Sequence, residues 1–526
     1  MLTALVRRAN DWVKPRLKEV GITCLVGLLV HASLYVYAST NPDGLWSGAG
    51  FEPFFARPWD YSLGRWGWWV ATTVKGGVSN PLFVTPITIL LFSLGIQFCL
   101  DVININNKIL RVLCGCFVIC SPLVACSITY YPFSDIYGYA FLGSAMSVWF
   151  FCCARLPHHL NYVFGILSLV LAVGMYQTTV GVPLVLLACR FVFDAYDQSM
   201  PLKQAFLRLT KALLGVLVSC VLYLVVMKAV QFFTGVGMAD YRGSGSISLS
   251  HAVASLGTSV PRTYTNYFDL IFGSSIVGNH FLAKWFNAAL LVLSISSISV
   301  LLVRRRKSLV RCLCIAIATL LAPMAAGAIG IIVPDSGRLM PLMVGGYLVL
   351  QVCQIAIVSK AVESVQWRGA LIGGLSALVA LLTWSSVLQV NTDAAAMKLT
   401  MNQASTIAQD ISIRLGQNEA YLQGAPVMIV GSPWDGSFKT PYNQSRCSPY
   451  VNWGLFWNTW DGSSGCWRTL LKLHSGVSLK MPSLDEMRSI ASTPEFTNMP
   501  LFPARDSVGV VHDVLVVKMT DTKALH

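Results

Sequence analysis

The residues best equipped for chemistry lie between Glu52 and Trp69, EPFFARPWDYSLGRWGWW. Glu52 and Asp60 bring carboxylates, Arg57 and Arg65 bring guanidiniums, and Trp59, Trp66, Trp68 and Trp69 bring rings suited to a membrane–water boundary. A carboxylate held at that depth can take a proton from a hydroxyl. A forked guanidinium matches a phosphate. Charges placed there are costly, which marks them as functional candidates. The stretch reads as the reaction centre of a membrane enzyme acting on a lipid-linked substrate.

Asp60 leads as the catalytic base. It opens a run, Tyr61 to Lys75, in which Leu63, Trp66 and Val70 share one side, while Asp60, Gly64, Gly67 and Ala71 form a small-residue stripe. That spacing predicts an amphipathic helix lying in the interface against other spans. The plainer reading of Asp60 is a helix cap. Arg65 reads as a donor-phosphate ligand, or as a side chain snorkelling to headgroups. Asp135, in YYPFSDIYGYA, is a second catalytic candidate beside Tyr131, Tyr137 and Tyr139, or the cap of the following helix. Tyr176 and Gln177 interrupt two apolar runs, where an amide suits a sugar hydroxyl and a helix–helix turn is the alternative. Glu52 joins them as a sugar or acceptor ligand. Arg338, in PDSGR, is a further phosphate ligand or a turn residue.

Positioning these residues requires spans. Apolar segments near 20–38, 83–101, 109–128, 137–153, 161–176, 178–195, 212–234, 286–303, 309–333, 341–358 and 369–390 predict eleven transmembrane helices. Loops with Lys108 and Arg111, Arg155, Lys203 and Arg208, Arg304 to Lys307, and Lys360 and Arg368 then share the side of the basic N-terminus, which the positive-inside rule makes cytoplasmic. The other side receives loops 39–82 and 235–285, the Asp135, Gln177 and PDSGR turns, and the tail. Residues 1–390 therefore predict a transmembrane catalytic domain, and 391–526 a small α/β domain outside the cytoplasm. In that tail, 394–416 has helical spacing, and 425–431 and 509–519 read as strands. Trp453, Trp457, Trp460 and Trp467 suggest an aromatic, loop-built surface for acceptor.

Composition supports this class. The 526 residues are 55% apolar and only 12% charged, with a mean hydropathy of +0.61, which excludes a soluble globular chain. The net charge of +14 is spread over short loops and sets topology, so nucleic acid is not an expected partner. Thirteen of the fifteen cysteines fall in apolar spans. Cys447 and Cys466 lie in the tail and are a candidate disulfide there. The eight histidines lack metal spacing, and no phosphate-binding loop, dinucleotide fingerprint or GxSxG elbow is present. No cofactor is expected, although two or three convergent acids are able to bind Mg²⁺ or Mn²⁺.

The WDYSLGRW segment with Asp60 and Arg65, the Asp135 turn and MYQTTVGVPLVLL at 175–187 resemble the serotype-converting O-antigen glucosyltransferase family. The resemblance covers roughly residues 20–360. It implies a GT-C-like enzyme of the bacterial inner membrane, active on the periplasmic side. It also implies inverting transfer of glucose from undecaprenyl-phosphate glucose to lipopolysaccharide O-antigen. Asp60 would be the base and Arg65 the phosphate ligand, with Asp135, Tyr176, Gln177 and Arg338 nearby. The family often pairs acids in the first loop, whereas here Tyr61 follows Asp60. A flippase or transporter of lipid-linked saccharide would predict inverted repeats and helices broken near the midplane. Charges gathered at one face favour an enzyme instead. A polymerase would not need the carboxylate-bearing loop, and a related enzyme using another sugar stays open.

Overall fold

The structure, a computed structural model, describes residues 10–521 apart from 155, 242–248, 279, 307, 337–338, 364, 433–445, 453, 457–458 and 477. Helices fill each of the eleven apolar segments. Eight of the described helices are long and apolar enough to cross a bilayer, and the pair Lys108–Ile119 and Pro122–Ile128, bent by 48°, makes up to nine. Ser121-Pro122 causes the bend, because proline starts a new helix readily but cannot continue the old one. The other two segments are Ser134–Cys152 and the first apolar run, which breaks at His31 into Leu17–Val30 and Ala32–Val36. The His31 ring lies 2.8 Å from the Ile119 carbonyl and ties this break to the bent pair. The chain is a polytopic helical membrane protein.

Small residues let the spans approach closely. A Cβ on Gly138 would lie 2.9 Å from the Leu91 Cβ, and one on Gly95 would lie 2.6 Å from the Phe141 ring. Helices Pro81–Val102 and Ser134–Cys152 thus meet backbone to side chain.

Helix Arg368–Gly416 runs for 49 residues, about 74 Å at 1.5 Å per residue, straight through the expected boundary at 390. No glycine or proline falls between 375 and 415 to end it. Span and tail helix are therefore one rod.

The tail is α/β as expected, with strands β1 (Val427–Val430), β2 (Val508–Val511) and β3 (Val514–Lys518). The single strand expected over 509–519 is a hairpin. His512 and Asp513 take positive φ, 48° and 62°, as a two-residue turn requires. β3 is central, parallel to β1 and antiparallel to β2. Alternate residues then face two layers. Val427, Ile429, Leu515 and Val517 meet Trp467 and Ile411, while Met428, Val430, Val514 and Val516 meet Met487 and Phe496.

Two expectations for the tail change. Residues Trp460–Ser475 form a helix, and Trp467 belongs to the core rather than to a surface. Its ring stacks on Phe456 at 4.3 Å and its N–H donates to the Gly431 carbonyl at 3.0 Å. Trp453 and Trp457 lie outside the described residues. Cys447 and Cys466 are both buried and no disulfide joins them. The Cys466 thiol points instead at the Pro42 carbonyl, 3.6 Å away.

That contact is one of several binding tail to first loop. Leu45, Ala49 and Tyr131 share a core with Met401, Ala404 and Leu470. A Cβ on Gly465 would lie 2.5 Å from the Trp46 ring, and Lys472 pairs with Glu52. The tail buttresses the loop.

Candidate active site in the first loop

The first loop folds as three short helices, Pro42–Trp46, Pro58–Ser62 and Gly67–Val74. The continuous interfacial helix expected over 61–75 is therefore interrupted. Gly64 causes the break by adopting φ +72°, a left-handed conformation that costs other residues about 1–2 kcal/mol. The small-residue stripe does pack as expected. A Cβ on Gly64 would lie 2.6 Å from the Tyr223 hydroxyl, and one on Gly67 would lie 2.8 Å from Met175. Trp66 and Trp68 are buried against the bundle, while Trp59 and Trp69 are exposed. The Trp68 N–H donates to the Met175 carbonyl at 2.8 Å.

Asp60 is buried at the third position of its helix. Its Oδ2 accepts the Arg57 backbone N–H at 2.8 Å and lies 3.9 Å from Arg57 Nε. Burial pushes its carboxyl above the ordinary range, against that hydrogen bond and the charges of Arg57 and Arg65. Its carboxylate thus serves as the capping-box acceptor of its own helix.

Arg57 is held between rings, its guanidinium carbon 5.2 Å from the Trp46 centroid and 5.0 Å from that of Phe54. Its Nη2 donates to Ser47 Oγ at 3.2 Å. Arg65 follows the Gly64 turn, with its N–H donating to the Asp60 carbonyl at 2.9 Å. Its guanidinium lies 5.4 Å from Trp68 and 5.6 Å from Tyr176. Among the described residues no carboxylate comes within 4.0 Å of it, and its buried Nε has no hydrogen-bond partner. A cation walled by aromatic faces and lacking a close counter-ion is ready for an anionic ligand.

The sequence reading passed over Asp43, which the fold brings to this group. Asn41 caps the helix Pro42–Trp46, accepting the Gly44 N–H at 2.9 Å, and its amide donates to Thr129 Oγ1 at 3.1 Å. Asp43 is thereby fixed in the first turn, partly buried, beside the Tyr130 hydroxyl. Burial raises its pKa to about 6, opposed by Arg65 and Arg57 and reinforced by Asp60. The sequence signal was Asn-Pro-Asp-Gly directly after the first span, which reads as turn chemistry alone.

The remaining candidates divide. Tyr176 lies at the site, edge-on to Tyr137 at 5.1 Å. Gln177 supports it from behind, because its amide donates to the Leu63 carbonyl at 2.7 Å and the Tyr223 hydroxyl at 3.0 Å. One amide hydrogen thus goes to the turn at Gly64 and the other to Tyr223 on helix Leu202–Thr234. Asp135 is buried against Lys75, 2.7 Å away, and Glu52 is held by Lys472 at the exposed rim. Arg338 lies outside the described residues. The second long loop reaches the site as well, with the Ala239 N–H donating to the Ser62 carbonyl at 3.0 Å and Tyr241 edge-on to Trp59. Among the described residues, no three His, Cys, Asp or Glu side chains converge as a metal site.

Residues 55–352, more than half of the chain, match the family model described as Glucosyl transferase GtrII. The match includes Asp60, Arg65, Tyr176 and Gln177, begins after Asp43 and ends before the tail. No curated protein and no solved structure matches.

Proposed function

The chain belongs to the glucosyl transferase GtrII family, and from that membership we propose an inverting transfer of glucose from undecaprenyl-phosphate glucose to lipopolysaccharide O-antigen. The chain is a glycosyltransferase by family; donor, stereochemistry, acceptor and membrane side are our reading. The proposed arrangement has eleven spans in a GT-C-like bundle, a cytoplasmic N-terminus, and the first loop and tail on the periplasmic side of the inner membrane.

Arg65 carries this reading. Its guanidinium is held by two rings, has no carboxylate within 4.0 Å among the described residues, and lies within electrostatic reach of Asp43 and Asp60. That set matches a phosphate leaving group beside a base. In the proposed step the acceptor hydroxyl gives its proton to a carboxylate, and its oxygen bonds to the anomeric carbon. The carbon–oxygen bond to phosphate breaks, and the electron pair leaves with the lipid phosphate, which Arg65 neutralises.

Asp43 is the better base of the two. Asp60 is tied to the Arg57 backbone N–H within its own helix, while Asp43, raised to about 6, lies beside the Tyr130 hydroxyl and close to the working pH range. Asp60 then sets the Arg57 and Arg65 turns. Membranes containing the protein, supplied with labelled undecaprenyl-phosphate sugars and O-antigen acceptor, should label the acceptor from the glucose donor. Labelling only from a different sugar would overturn the donor assignment, and none from any would overturn the reaction.

A further inference from the structure

At the end of the bundle away from the first loop, four helix ends surround a cavity of about 420 Å³. They belong to Ser134–Cys152, His158–Met175, Gly181–Tyr196 and Leu202–Thr234. Leu187 and Phe191 are buried in its wall, and Phe151 is partly so. Its exposed lining carries Arg208 and Lys211.

Charge is unbalanced here. Asp194 is shared, with Oδ1 3.0 Å from Arg190 Nε and Oδ2 4.0 Å from Arg208 Nη1. Lys211 has no acid within 4.0 Å among the described residues. Arg190, Arg208 and Lys211 therefore leave two positive charges in excess over the single carboxylate. An apolar wall below a cationic rim, at a membrane boundary, fits an amphiphile with an anionic head. A small anion would use the rim and leave the wall idle.

We propose that this cavity seats the phosphate headgroup of an anionic glycerophospholipid, with Arg208 and Lys211 as its ligands and the apolar wall taking the start of an acyl chain. Juxtamembrane cations each strengthen such binding about fivefold. The site is separate from the glycosyl-transfer centre and does not depend on it.

The test is thermal unfolding of the full-length protein in neutral detergent, titrated with phosphatidylglycerol, phosphatidylcholine or inorganic phosphate. Phosphatidylglycerol should stabilise the wild type, and the other two should not. Arg208→Gln with Lys211→Gln should weaken that effect about twenty-five-fold, with Arg208→Lys retaining it. Should the double variant unfold on its own, Lys211→Gln, whose ammonium has no described ion pair, carries the test with a fivefold loss. Equal stabilisation by phosphatidylcholine, equal stabilisation by inorganic phosphate, or unchanged lipid affinity in the variants would each overturn the proposal.

Discussion

Lys75 Nζ lies 2.7 Å from Asp135 Oδ1, with both side chains almost wholly buried. Lys75 also donates to the Pro132 carbonyl at 3.0 Å, so the end of the first loop is locked to the start of helix Ser134–Cys152. Asp135→Asn should therefore cost about 3–5 kcal/mol, because it leaves a buried ammonium without its counter-charge. Thermal unfolding in detergent measures this. The paired change Lys75→Met with Asp135→Leu should recover most of the loss. Unfolding like the wild type, combined with lost transfer, would return Asp135 to the reaction.

A carboxyl held at about 6 gives a specific pH profile. With Asp43 as base, transfer should fall about tenfold per pH unit below 6 and level off above it. Stability should move oppositely. The folded value lies above the ordinary 3.8, so the folded state binds the proton more tightly. The contribution to stability is complete below about pH 4 and is lost as pH rises through about 6. Asp43→Asn removes that loss, so unfolding at pH 5 and pH 8 should show the variant gaining on the wild type at the higher pH. A gap that does not change with pH would contradict the shift.

Arg65→Lys keeps a charge but loses the forked donor geometry. Donor affinity should fall about tenfold, and about a hundredfold in Arg65→Met, the range for hydrogen bonds to a charged group. Binding isotherms with undecaprenyl phosphate test this. Unchanged affinity would mean that Arg65 faces lipid headgroups.

Gly64→Ala should damage both stability and donor binding. The left-handed backbone costs about 1–2 kcal/mol, and the new methyl would crowd the Tyr223 hydroxyl at 2.6 Å. Gln177→Leu, which frees the Leu63 carbonyl, should weaken donor binding through the same turn. Normal donor affinity in both variants would show that the turn does not position Arg65.

The helical bundle was legible because apolar runs of span length have few other solutions. The tail strands were legible for a similar reason, as short apolar runs between turns. The first-loop site was legible only in part. Asp60 and Arg65 stood out by residue type, and the structure places both in the folded first loop. Asp43 did not, because its placement depends on how Asn41 and Thr129, 88 residues apart, fix one short helix. The partner of Asp135 was hidden for the converse reason, since nothing local in the sequence announces that Lys75 will pair with it. The tail's Trp467 looked like surface within a Gly- and Ser-rich stretch, but helix Trp460–Ser475 turns it onto the sheet.

Transfer from labelled undecaprenyl-phosphate glucose, compared in wild type, Asp43→Asn and Asp60→Asn, tests the central claim most directly. The account predicts labelled acceptor with the wild type and a loss of roughly a hundredfold or more in Asp43→Asn, with donor binding retained. Asp60→Asn should keep donor affinity and most transfer, because its side-chain oxygen still accepts the Arg57 N–H and its backbone carbonyl still accepts the Arg65 N–H. Wild-type transfer rates in Asp43→Asn would contradict the account.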